Sequence, residues 1–109
     1  MRFKAGVNPE GVAREIWYAL GFVDALSHIL AGGEVTATSL NDGQHNPGSL
    51  HPQGRAADFR TREESPDVQS AIYAMLREWL GPIGFDVVLE DDHLHVEWDP
   101  KQVATLWRV

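Results

Sequence analysis

The chain contains no cysteine. That absence excludes a disulfide framework, a thiolate metal site and a cysteine nucleophile, and it leaves the redox compartment open. Cations are scarce as well: nine lysines and arginines stand against sixteen aspartates and glutamates, for a formal net charge of −7. A chain this acidic repels phosphate backbones, so no nucleic-acid partner is expected. Long apolar runs are missing too. The most apolar stretch, residues 17–30, is broken by Gly21, Asp24 and His28, so no membrane partner is expected. Met1-Arg2-Phe3-Lys4 supplies two basic residues, but no apolar segment of a secretory leader follows them. The expectation is synthesis in the cytoplasm without a signal peptide.

What is present is an ordinary globular composition, 43% hydrophobic and 23% charged, over 109 residues. That length suits one domain with one core, residues 1–109. Asn8-Pro9-Glu10 predicts a helix start, with Asn as N-cap, Pro at the first helical position and an acid in the first turn. Val12, Ile16, Trp17, Leu20, Val23, Leu26, Ile29 and Leu30 continue at helical spacing until Gly32-Gly33. Residues 34–39 are rich in β-branched side chains and predict a strand. Residues 40–50 carry Asn, Asp, Gly, Pro and Ser and predict a long loop, a place where small domains often keep function. Residues 55–60 predict a short strand with Ala56, Asp58 and Arg60 on one face. Ser65-Pro66-Asp67 opens a second helix striped by Val68, Ile72, Met75, Leu76 and Leu80, and Gly81-Pro82 stops it. Residues 85–89 and 94–98 predict a hairpin across the acidic turn 90–92. Asp99-Pro100 predicts a last short helix that returns Val103, Leu106 and Trp107 to the core. The order of elements implies an α+β fold, a small antiparallel sheet with helices packed on one face. The molecule is expected to be a monomer.

With cysteine absent, the borderline metal ligands are the five histidines: His28, His45, His51, His93 and His95. His28 sits on the first helix and is expected to be a surface or core residue. The other four fall near two ligand-rich stretches, residues 49–58 and 91–97. Residues two apart in a strand share a face, so His93 and His95 can serve one pocket. His51 precedes the strand that carries Asp58, and Gly54 would allow a tight turn between them. His51, Asp58 and one histidine of the pair would give a catalytic Zn2+ three protein ligands and an open position. A carboxylate must then handle the proton, and Glu90, Asp91, Asp92 and Glu97 are the candidates. A remaining histidine could stabilise an oxyanion. Ser49 lacks a G-x-S-x-G surround and is a poor nucleophile. Trp17, Trp79, Trp98 and Trp107 are expected to pack in or around the core, with Trp98 near the cleft edge.

On these residues the chain resembles the zinc D-alanyl-D-alanine carboxypeptidases and the phage endolysins that cut the L-alanyl-D-glutamate bond, which share a fold with Hedgehog signalling domains. The pattern S-x-H-x-x-G-x-A-x-D is met by Ser49, His51, Gly54, Ala56 and Asp58, and D-H-x-H by Asp92, His93 and His95. The resemblance spans residues 35–98. It implies a Hedgehog/DD-peptidase-like fold with His51, Asp58 and His95 as zinc ligands and Asp92 as the general base and acid. It makes His93 an oxyanion-stabilising or ligand-supporting residue. Strand alternation alone would favour Glu97 over Asp92 as the base, since Glu97 shares a face with both histidines.

The chain departs from the family in one segment. Many members carry an arginine in a stretch like S-G-Y-R, where this sequence has Ser39-Leu40-Asn41-Asp42. A substitute donor to substrate is expected from His45 with the nearby Gln44, or less favourably from Arg60, and Ser49 is placed with His45 as substrate-binding. The resemblance implies a zinc metallopeptidase that hydrolyses bonds in bacterial peptidoglycan stem peptides, encoded by a phage or prophage and acting on the cell wall. The alternatives are a D-alanyl-D-alanine carboxypeptidase and a non-catalytic, zinc-bearing binding or phage structural module.

Overall fold

The computed structural model describes residues 1–40, 54–61 and 63–99. The elements run β1 (Arg2–Phe3), α1 (Arg14–Ala31), β2 (Thr36–Ser39), β3 (Ala56–Arg60), α2 (Pro66–Leu80), a 3₁₀ turn (Gly81–Ile83), β4 (Phe85–Leu89) and β5 (His93–Trp98). The fold is α+β, a mixed five-stranded sheet in the order β1-β2-β3-β5-β4 with two helices. The expectation of a wholly antiparallel sheet is corrected at one edge. β1 pairs parallel to β2, Arg2 with Thr36 and Phe3 with Ala37. Two residues are too few to show alternation in sequence, and α1 supplies the crossover that a parallel pair requires.

α1 begins later than Asn8-Pro9-Glu10 suggests. The Asn8 side chain accepts the Glu10 N–H at 3.1 Å, an Asx turn, and Gly11 takes a φ of +71°. The Ala13 N–H is then given to the Gly54 carbonyl at 2.8 Å, so the chain is committed to a turn until Arg14. The other end matches expectation: Gly32 caps α1 in the left-handed conformation. Ser65 caps α2 through its hydroxyl, which accepts the Val68 N–H at 3.3 Å, and Pro66 opens the helix. The expected loop lies largely, and the expected last helix almost wholly, outside the described residues.

Alternation divides the sheet into two faces. Ala57, Phe59, Val87, Leu94 and Val96 are buried against Ile16, Leu20 and Val23 of α1 and Ile72, Leu76 and Leu80 of α2. Both helices therefore cover one face. Fully burying each large aliphatic or aromatic side chain here contributes roughly 1.5–3 kcal/mol, which fixes strand register strongly. A slip of one residue would drive Leu94 and Val96 out and His93 and His95 into the core. Trp17 and Trp79 lie at the rim, about half exposed, whereas Trp98 packs on the core under the Arg55 guanidinium. Trp107 lies outside the described residues. Among the described residues, no helix is long and apolar enough to cross a membrane.

Candidate active site

The open face of the sheet carries the titratable residues. β3 and β5 run antiparallel with Asp58 opposite His95, Arg60 opposite His93 and Ala56 opposite Glu97. Asp58 and Arg60 from β3 thus share a face with His93, His95 and Glu97 from β5. Ala56 presents only a methyl group on that face and is fully buried.

His95 is held from both sides. Its Nδ1 lies 2.7 Å from Asp58 Oδ1 and its Nε2 lies 3.0 Å from Glu97 Oε1. Carboxylates only accept, so both ring nitrogens donate and the ring is an imidazolium. The Asp58 hydrogen bond, helped by Glu97 and opposed by burial, pushes the His95 pKa up to about 9. Asp58, His95 and Glu97 are all mostly buried, with side chains 15%, 19% and 23% exposed.

The second pair sits at the mouth of the β4–β5 hairpin. His93 Nδ1 lies 2.7 Å from Asp92 Oδ1, and His93 Nε2 lies 3.9 Å from Asp58 Oδ1. Asp92 is 66% exposed. Its backbone is fixed nonetheless: its carbonyl accepts the Thr61 N–H at 3.2 Å, and the Glu90 N–H to His93 carbonyl bond at 2.9 Å closes the turn. Asp92 therefore stands outside the strict alternation of β5, at the rim of a cleft of about 400 Å³. Asp58 and His93 line that cleft, and so do Thr38 and Ser39 of β2.

Of the residues named from sequence, Asp58, Asp92, His93 and His95 come together on this face. His51, His45 and Ser49 lie outside the described residues. Among the described residues no three His, Asp or Glu side chains form a metal-holding group. The donor chemistry that is described fits zinc: a carboxylate oxygen and an imidazole nitrogen converge on one proton, with a second carboxylate behind the ring.

Three features were not read from the sequence. Glu97 engages the far nitrogen of His95, which the H-x-H-x-E spacing on one strand face could have suggested. Lys4, which follows β1, lines the same cleft, and no local pattern signals that. Arg55 donates from Nε to the Trp98 carbonyl at 3.1 Å and stacks over its ring, 5.3 Å from the centroid, so Trp98 is anchored rather than free to receive a ligand. No protein-family model matches the chain.

Proposed function

We propose that this chain is a zinc-dependent metallopeptidase that hydrolyses peptide bonds in bacterial peptidoglycan stem peptides, with a Hedgehog/DD-peptidase-like fold. The observation that carries the reading is the Asp58–His95 pair, cross-strand partners whose donor atoms lie 2.7 Å apart beside the Asp92–His93 pair. Asp58 Oδ1 and His95 Nδ1 would hold the metal, with His51 as the third ligand. Zinc supplies Lewis acidity and a nucleophile from water at neutral pH. Glu97 holds the Nε2–H of His95, which leaves Nδ1 as the ligating atom. Glu97 is thereby occupied, and Asp92, 66% exposed at the cleft rim, is the carboxylate that faces an incoming substrate. Asp92 takes a proton from the attacking water and passes it to the leaving amine. The 2.7 Å contact between His93 Nδ1 and Asp92 turns Nε2 toward Asp58, 3.9 Å away, where a proton on Nε2 would be donated to a developing oxyanion.

The setting that goes with this reading is a phage- or prophage-encoded enzyme acting on the cell wall as a monomer. A D-alanyl-D-alanine carboxypeptidase is the second reading, and a specific observation favours it: Lys4 and Arg60 put cations in the cleft, where a terminal carboxylate could bind. Digestion of purified peptidoglycan followed by mass spectrometry of the fragments tests both. Cleavage inside the stem peptide supports the endopeptidase, and release of terminal D-alanine alone supports the carboxypeptidase. Zinc uptake with no hydrolysis of either kind would leave a zinc-bearing binding module.

A further inference from the structure

The turn that carries Asp92 is held from behind. β3 ends at Arg60, and Thr61 extends its ladder by one residue: the Thr61 N–H donates to the Asp92 carbonyl at 3.2 Å. Thr61 continues the alternation of Ala57 and Phe59, so it is buried with the core, at 4% exposure. The Asp92 side chain, by contrast, is 66% exposed. A buried residue thus anchors the backbone of an exposed one. Whatever fixes Thr61 fixes one side of the Asp92 turn.

Gln69 fixes Thr61. It lies near the start of α2, and its Nε2 donates to the Thr61 carbonyl at 2.8 Å and to the Glu64 carbonyl at 3.0 Å. Both amide hydrogens are used in this way. The bond to Thr61 does not rescue an orphan, because that carbonyl already accepts the Glu64 N–H at 2.9 Å. Nor does α2 require it as a cap, since the Ser65 hydroxyl accepts the Val68 N–H. A long side chain gives up rotamer freedom to be held so. What the two bonds do is set the course of the chain between the end of β3 and the start of α2. Gln69 belongs to a helix that covers the core face of the sheet, away from the cleft, so it acts through Thr61 and not on a substrate.

We propose that Gln69 is a positioning residue for Asp92: it holds Thr61, and through Thr61 the turn from which the Asp92 carboxylate reaches the reacting atoms. The proposal rests on the peptidase reading above and deepens it by naming what supports the general base. A carboxylate that takes a proton from water and hands it to an amine must come within roughly 2.6–3.2 Å of each. A misplacement of about 1 Å can cost on the order of 100-fold in rate. Packing cannot hold so exposed a side chain in that window, so much of the constraint falls to its backbone. Two backbone bonds supply it, the Glu90 N–H to His93 carbonyl closure and the Thr61 N–H to Asp92 carbonyl contact. The first shapes the turn. The second sets where the turn stands relative to Asp58 on β3, and Gln69 secures its donor residue.

Two substitutions in the full chain test this. Gln69→Met keeps the length of the side chain and removes both donors. Gln69→Glu keeps its shape and turns a carboxylate toward two carbonyls. In each variant the Thr61 amide should exchange with solvent about tenfold faster or more, followed by hydrogen-exchange NMR. The Trp98 amide, bonded to the Arg55 carbonyl at 2.8 Å at the far end of β5, should keep its protection and so report an intact fold. With zinc saturating, kcat on stem peptides should fall about tenfold while KM changes by less than about twofold. In an Asp92→Ala background the same substitutions should cost less than about twofold in turnover, because no carboxylate remains to be misplaced. An unchanged Thr61 exchange rate in both variants would overturn the proposal, as would an equal loss of turnover with and without Asp92. A wild-type chain that hydrolyses no stem peptide would defeat the peptidase reading instead, and Thr61 exchange would still decide whether Gln69 holds the turn.

Discussion

Asp58 and His95 face each other directly across β3 and β5, with Asp58 Oδ1 2.7 Å from His95 Nδ1. In the metal-free protein a proton occupies the point where these two donors meet. A metal must displace that proton, so zinc uptake at this site should release it. His95→Ala and His51→Ala should each abolish zinc binding at neutral pH. Elemental analysis of the purified variants decides this, and an unchanged stoichiometry in either would remove that residue from the ligand set.

Asp92 and Glu97 should separate cleanly in function. Asp92→Ala leaves Asp58 and His95 untouched, so zinc should stay while turnover falls by about 100-fold or more. Glu97→Gln loosens the hold on His95 Nε2, so zinc affinity should fall by roughly 10- to 100-fold in chelator competition. With zinc saturating, Glu97→Gln should recover a large part of its kcat. The reverse pattern, turnover lost in saturated Glu97→Gln and kept in Asp92→Ala, would make Glu97 the base.

The conflict between these two carboxylates shows what the sequence could and could not convey. Alternation along β5 correctly places Glu97 on the face of His93 and His95, because a buried Leu94 and Val96 leave the strand no other register. Alternation says nothing about which nitrogen of His95 a carboxylate will meet, which depends on side-chain direction. Asp92 lies in the turn, where period-two reasoning stops. Ser65-Pro66 and Gly32 were legible because capping and left-handed φ are local chemistry. β1 was not legible, since a two-residue strand gains its identity from the partner it meets across a helical crossover. Lys4 reaches the cleft by that same non-local pairing.

The pH dependence of stability should report the His95 pair in metal-free protein. The His95 pKa is raised from the ordinary 6.5 to about 9 in the folded state. The folded protein therefore binds more protons than the unfolded chain between those values, and stability falls as pH rises. The stabilisation is fully present below about pH 6.5, declines through pH 9 and is absent above it. Allowing for solvent screening at a partly exposed ring, the loss is on the order of 1–2 kcal/mol. Urea denaturation at pH 6 and pH 9.5 measures it. Asp58→Asn should flatten the profile, and a wild-type profile already flat over this range would contradict the paired geometry.

Gly54 links the motif loop to the start of α1, and its substitution should test that link. It takes a φ of +69°, which side-chain-bearing residues rarely adopt. A Cβ at this position would run into the Gly11 carbonyl and press on the Gly11–Val12 backbone. The Gly54 carbonyl also accepts the Ala13 N–H at 2.8 Å, just before α1 begins. Two backbones are therefore in contact, and neither can yield as a flexible side chain would. Gly54→Ala should destabilise the fold by about 2 kcal/mol or more, combining left-handed strain with a steric clash. Gly32→Ala is the control: it carries the same positive φ, but its Cβ meets nothing within 4 Å, so only about 1 kcal/mol should be lost. Thermal melts of the two variants give the comparison. Equal losses would mean that conformation alone, and not the approach of the Gly11 backbone, requires glycine at position 54.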